Sequence, residues 1–241
     1  MLSKRFLSSI AKFRGTIPAD FHFIPDFFAV PEQRALISAA LMSLDAAGSR
    51  RLQRKRKSFV ASLKPTSEGP LDQLFLPDDC YEFVQGHYDG VVHNFREMHL
   101  TSWPTTENPE LMLALGRLHS LLPSHDVQTH ILHLASDGEI LPHVDNVSAS
   151  GRWILGASLG SERILRLENC ANSDDAAEIL LPSGSVYIQS DTVRFQYKHS
   201  ILKNVALTSG VGQRISIMIR VSSSYDRKIS DLTLSSGPAR K

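Results

Sequence analysis

Six short runs decide the fold: THILHL at residues 129–134, WILGASL at 153–159, RILRLE at 163–168, SVYIQS at 185–190, VRFQYK at 193–198 and RISIMIRV at 214–221. From about residue 128 the apolar period is that of strands, and turn-forming residues separate one run from the next. So many short strands imply a sandwich, barrel or jelly roll, not a parallel α/β sheet. Helical spacing is confined to the residues upstream. Pro31 can open a helix in which Ile37, Leu41 and Leu44 fall at i, i+4 and i+7. Leu111, Leu115, Leu118 and Leu122 line one face of a second helix near 109–122, bracketed by Pro104 and Pro123. The fold class is therefore mainly β with flanking helices. Residues 48–58, GSRRLQRKRKS, read as a basic loop.

With 241 residues, the chain can bury one substantial core. A composition 42% hydrophobic and 21% charged is that of a soluble globular protein, neither disordered nor membrane-embedded. No apolar run approaches the roughly 20 residues that span a bilayer. The net charge of +1 gives no global case for binding a polyanion, so any such case rests on a local patch. Cys80 and Cys170 lack CxxC partners, which excludes a thiolate zinc site and a disulfide framework and suits a reducing compartment. The sequence has no internal repeat, GxGxxG motif or P-loop.

The first fourteen residues, MLSKRFLSSIAKFR, carry Lys4, Arg5, Lys12 and Arg14 and no acid. Leu2, Phe6, Ile10 and Phe13 make an apolar stripe at helical spacing, the pattern of a mitochondrial transit peptide. The expected division is a transit peptide over 1–19, a catalytic domain over 20–221 and a flexible tail over 222–241.

His143-Val144-Asp145 closes the run EILPHVD, and in extended chain residues i and i+2 project to the same side. One imidazole and one carboxylate then face a common point. His199 can supply a third ligand, from a strand-like segment in which Phe195, Tyr197 and His199 share parity. Two histidines and a carboxylate form the facial triad of non-haem Fe(II) oxygenases. The triad leaves two positions to chelate a 2-oxo acid and one for O2. Its charge of about +1 with iron suits a dianionic cosubstrate. A second such triplet, His87-Tyr88-Asp89, sits between Gly86 and Gly90 without flanking alternation and reads as a hydrogen-bonded loop. Downstream, Arg214, Ser216, Met218 and Arg220 share one face of a strand, with isoleucines on the other. If a jelly roll encloses both faces, two guanidinium groups enter the site, where their planar forks suit carboxylates.

In order and spacing, HxD, a distal His and RxxxxxR resemble the AlkB-like Fe(II)/2-oxoglutarate dioxygenases. So do YDGVVHNFREMHLTSW from Tyr88, PSGSVYIQ from Pro182 and GQRISIMIR from Gly212. The resemblance covers most of residues 20–221 and is closest to the family's mitochondrial branch. It implies a double-stranded β-helix (jelly-roll) dioxygenase core, with Fe(II) on His143, Asp145 and His199 and with 2-oxoglutarate and O2 as cosubstrates. Arg214 and Tyr187 would hold the distal carboxylate of 2-oxoglutarate, and Arg220 would lie near its 1-carboxylate. The resemblance further implies a mitochondrial location, in the matrix, and a role in mitochondrial metabolism and regulated necrosis. One departure is Leu132-His133-Leu134, where nucleic-acid-repairing members carry Asn-x-Tyr. The expected substrate is accordingly a protein or metabolite. An RNA or DNA N-alkyl demethylase, supported by the basic run from Arg50 to Lys57, is the alternative. A non-catalytic binding module is a third reading, disfavoured by the complete triad.

Overall fold

The computed structural model describes residues 16–62, 69–87, 89–104, 107–147, 150–203 and 212–222. The amphipathic segment expected to address the chain, Tyr88 and the tail beyond Ser222 lie outside the described residues. In chain order the elements begin with β1 (Phe21–Ile24), α1 (Val30–Ala46) and α2 (Arg50–Ser62). Two 3₁₀ turns, Leu71–Leu74 and Asp78–Cys80, lead to β2 (Val84–Gly86), β3 (Val92–Leu100) and α3 (Pro109–His119). Then come β4 (Val127–His143), β5 (Trp153–Gly160), β6 (Arg163–Asn169), β7 (Ala176–Leu181) and β8 (Ser185–Ser190). The last are α4 (Asp191–Gln196), β9 (Tyr197–Ile201) and β10 (Arg214–Val221).

All strand pairs are antiparallel, along the path β1-β8-β5-β10-β4-β9-β6-β7, with β3 beside β4 and β2 beyond β3. The long strand β4 curls this sheet on itself. Its first half pairs with β10 from Val127 to Leu134, whereas its end pairs with β9 at Ile140 and His143. The bend falls where β3 bulges at Asn94, which has a φ of 50°. A Cβ on Gly138 would lie 2.6 Å from the Asn94 carbonyl oxygen, so the bend requires glycine there. The result is the double-stranded β-helix core that the strand density and the resemblance implied.

Two apolar clusters follow from the alternation. Leu132 and Leu134 of one wall meet Leu165, Leu167, Ile179 and Ile201 of the other, inside the roll. Ile215, Ile217 and Ile219 point outward instead and are covered by Ile37, Leu41, Leu44, Leu111, Leu115 and Leu118 of α1 and α3. Pro31 falls in the first turn of α1, which begins at Val30, and α3 begins at Pro109 as expected but ends at His119, short of Leu122; Asn108 caps it by accepting from the Glu110 and Leu111 amides. Among the described residues no helix is long and apolar enough to cross a membrane.

Two expectations are corrected. The basic run 48–58 is not a loop, since α2 occupies Arg50–Ser62. Arg and Lys are good helix formers, Phe59 packs against the core, and buried Arg56 pairs with Asp45 at 3.3 Å. Charge density alone therefore misled. VRFQYK is likewise not one strand: α4 takes it up to Gln196 and β9 begins at Tyr197. Phe195 is helical and 42% exposed, so it does not share the inward parity of buried Tyr197 and His199.

Candidate metal centre

The register of β4 against β9 puts His143 directly across from His199, with ring centroids 4.2 Å apart. Asp145 follows two residues after His143, just beyond the strand end. Its Oδ1 lies 3.1 Å from His143 Nε2 and 3.7 Å from His199 Nε2. One ligand atom from each of the three residues falls within 4.8 Å of the others. Among the described residues no other such cluster of three occurs.

Hydrogen bonding fixes what these atoms can do. His143 Nδ1 donates to the Leu141 carbonyl at 2.9 Å, so the lone pair of a neutral ring sits on Nε2 and faces the Asp145 carboxylate. Two acceptors at that distance need a cation between them, either a proton or a metal ion. Burial lowers the His143 pKa, but the Asp145 carboxylate, the Leu141 carbonyl and Asp89 together more than offset this, leaving it raised. Burial alone would raise Asp145, but His143, His199 and Arg220 hold its carboxyl far below the usual range. Burial pulls His199 down to about 4, so its imidazole is neutral at physiological pH, as metal ligation requires.

Arg220 Nε and Nη2 both lie 3.1 Å from the other Asp145 oxygen, Oδ2. The fork expected near a cosubstrate carboxylate therefore rests on the candidate ligand itself, leaving Oδ1 for a cation. Arg214 lies deeper and is 1% exposed, with Nε donating to Ser158 Oγ at 2.9 Å and Nη1 to Ser216 Oγ at 3.0 Å. Its Nη2 is buried without a hydrogen-bond partner among the described residues. Tyr187 lines the same cavity, its hydroxyl 3.6 Å from Met218 Sδ, and burial raises its pKa. A buried cation with a spare N–H beside a neutral phenol fits a carboxylate.

The cavity holding these groups has a volume of about 460 Å³. Leu132, Ile140 and Ile201 are among its lining residues, so Leu132 of the departure noted in the sequence faces the site. The rim is polar. His130 Nε2 stands 3.0 Å from Glu97 Oε2 and stacks on His99 at 4.7 Å, and His87 Nδ1 is 2.9 Å from Asp89 Oδ1. His87 and Asp89 are thus a hydrogen-bonded loop, as read, but one that also borders the cavity.

Sequence reasoning missed two supporting residues. Buried Arg194 donates to the carbonyls of Asp145, Asn146, Ser150 and Gly151 and so holds the segment after His143 in place. Nothing in its sequence setting marks it. Gly156 pairs with Tyr187 across β5 and β8, and a Cβ there would collide with the phenol ring. A glycine inside a strand run was the available signal.

A family model described as the 2OG-Fe(II) oxygenase superfamily matches residues 20–220. The chain is 33% identical over 149 residues to alpha-ketoglutarate-dependent dioxygenase alkB homolog 7, mitochondrial, of Bos taurus, covering 58% of this chain and 65% of that protein. For the Mus musculus protein of the same name the identity is 31% over 147 residues, with the same coverage of 58% and 65%. The match therefore spans just under two thirds of these curated relatives. The crystal structure of a Pseudomonas putida prolyl-4-hydroxylase aligns at a TM-score of 0.47 and 11% identity, covering 84% of this chain and 92% of that one.

Proposed function

The chain belongs to the 2OG-Fe(II) oxygenase superfamily, and from that premise we propose that it is an Fe(II)- and 2-oxoglutarate-dependent dioxygenase with His143, Asp145 and His199 as metal ligands. The observation that carries this reading is the unshared pair of acceptors, His143 Nε2 and Asp145 Oδ1 at 3.1 Å, with His199 Nε2 beside them. Two imidazoles and one carboxylate are the ligand chemistry of ferrous oxygenases. Iron with 2-oxoglutarate and O2 supplies oxidative decarboxylation to succinate and CO2, coupled to oxidation of a substrate C–H bond.

This chain's residues do the binding and orienting. Arg214, through its spare Nη2, and Tyr187 hold the distal carboxylate of 2-oxoglutarate. Arg220, bonded to Asp145 Oδ2, would leave Oδ1 to hold the metal and would lie next to the 1-carboxylate. Arg194 fixes the backbone of Asp145. The substrate is a protein or metabolite. In support, Arg214 and Arg220 are the only Arg or Lys lining the cavity among the described residues, and Asp89 and Glu97 also line it, where they would repel phosphates. The basic amphipathic N-terminus, with the mitochondrial names of the two relatives, supports a mitochondrial location, which we assign to the matrix.

The test is anaerobic titration of the purified protein with Fe(II) and then 2-oxoglutarate, following the metal-to-ligand charge-transfer band of a chelated 2-oxo acid. The wild type develops the band and His143→Ala does not, because two protein ligands no longer hold iron with comparable affinity. A normal band in folded His143→Ala overturns the assignment.

A further inference from the structure

We propose that the outer face of α2 is a docking surface for an anionic lipid bilayer. On this helix Arg50, Arg54 and Lys57 follow one another at i, i+4 and i+7 and form one stripe, flanked by Arg51. All four are exposed, and none has a hydrogen bond or ion pair among the described residues. The opposite side does the packing. Phe59 packs against the core, Arg56 is buried on Asp45, and Lys55 is tied to Asp79 at 2.7 Å. The free stripe is therefore presented on a helix anchored from behind.

Beyond helix propensity, the stripe adds no hydrogen bond or ion pair to the fold among the described residues. Its members repel at i, i+3 and i, i+4, and Arg50 and Arg51 sit in the first turn, against the positive end of the helix dipole. No acidic residue in α2 relieves this. A row of cations that weakens its own helix is explained by an anionic partner.

Position and composition favour a membrane over a nucleic acid. Along β3, Glu97 and His99 line the cavity, while Arg96 projects the other way to Asp45, which also holds Arg56. The helix thus lies behind β3, away from the cavity, and a surface bound there leaves the mouth free. A strand whose phosphates ran along α2 would not present a base to the iron site. The outer face also lacks the aromatic side chains on which single-stranded bases stack, since Phe59 points inward. Val60, 54% exposed, adds an apolar side chain near the end of the stripe that can enter a headgroup layer.

The experiment is flotation of the full chain with phosphatidylcholine vesicles, with and without phosphatidylglycerol. Binding is expected only with the anionic lipid and should fall as salt rises. Each cation near an anionic surface contributes about 5-fold in partitioning, so R50Q/R54Q/K57Q should lose on the order of 100-fold. R50K/R54K should bind as the wild type does, because the interaction reads charge. Melting temperature and the iron–2-oxoglutarate band should not fall in either variant, which separates lost docking from lost folding or a failed active-site assignment. Equal binding to neutral vesicles, or an unchanged glutamine variant, overturns the proposal. So does an RNA oligonucleotide that binds the same stripe more tightly than anionic vesicles at matched salt.

Discussion

Two buried polar networks lie on opposite faces of the strand pair β4 and β10, and they differ in whether their hydrogen bonds close. On the helix side, His133 is fully buried, accepting from Arg96 Nε at 2.9 Å and facing Gln213 Oε1 at 3.0 Å. Gln213 in turn donates to the Leu76 carbonyl, and Arg96 Nη1 pairs with Asp45 at 2.6 Å. The one unpartnered nitrogen, Arg96 Nη2, belongs to a guanidinium lying 4.2 Å above the Tyr81 ring. On the cavity side, acceptor faces acceptor at His143 and Asp145, and Arg214 keeps a buried N–H without a hydrogen-bond partner among the described residues. The first network closes but for that one nitrogen, which the Tyr81 ring covers. The second is complete only with a cation and an anion from outside, and that separates the structural histidine His133 from the ligand histidines His143, on the same strand, and His199, on the next.

The largest effect expected from breaking this contrast is on stability. Arg96→Met strips His133 of its donor and Asp45 of one of two cations, and should cost about 3 kcal/mol in chemical denaturation. The iron–2-oxoglutarate band should survive in the protein that remains folded. A loss of the band without a loss of stability would mean that the helix-side network serves the site directly. Arg214→Lys should do the reverse. The charge stays but the fork is lost, so 2-oxoglutarate should bind about 10- to 100-fold more weakly, or ~1–3 kcal/mol, with iron affinity and denaturation midpoint near wild type.

Part of this contrast was legible in the sequence. Alternation in RISIMIRV sorted Arg214 and Arg220 from the isoleucines, and extended spacing paired His143 with Asp145, because strand geometry fixes which side chains share a face. His199 was singled out with His143 and Asp145 by strand spacing and by the resemblance, but the β4–β9 register that sets it across from His143 was not legible, since it follows a bend at Gly138 that no local pattern announces. Arg54 and Arg56 look alike in a basic run, yet one is exposed and the other 6% exposed on Asp45. Only tertiary packing distinguishes them. The same holds for Arg194, whose worth is the set of carbonyls it gathers after His143.

The smallest effect expected is on the pH dependence of stability, and it isolates the closed network. Burial, then the neighbouring Arg96 charge, pushes the His133 pKa well below its ordinary 6.5, while Gln213 opposes this. In the folded protein the ring stays neutral where the unfolded chain already takes up a proton. Between the depressed folded value and about 6.5 the unfolded state therefore binds more protons, and stability is lost as pH falls through that window. One such group gives a slope of at most about 1.4 kcal/mol per pH unit. His133→Gln removes the titration while keeping a side chain that can accept from Arg96 and donate to Gln213. Its denaturation midpoint should be lower than wild type at pH 7 and should change less between pH 6.5 and 5. Parallel acid limbs in the two proteins would assign the loss to other groups, with His199, pushed down to about 4, the first to examine. Saturating a metal that binds the neutral site should steepen the His199 contribution and leave that of His133 unchanged, because only one of the two rings has a lone pair open to the cavity.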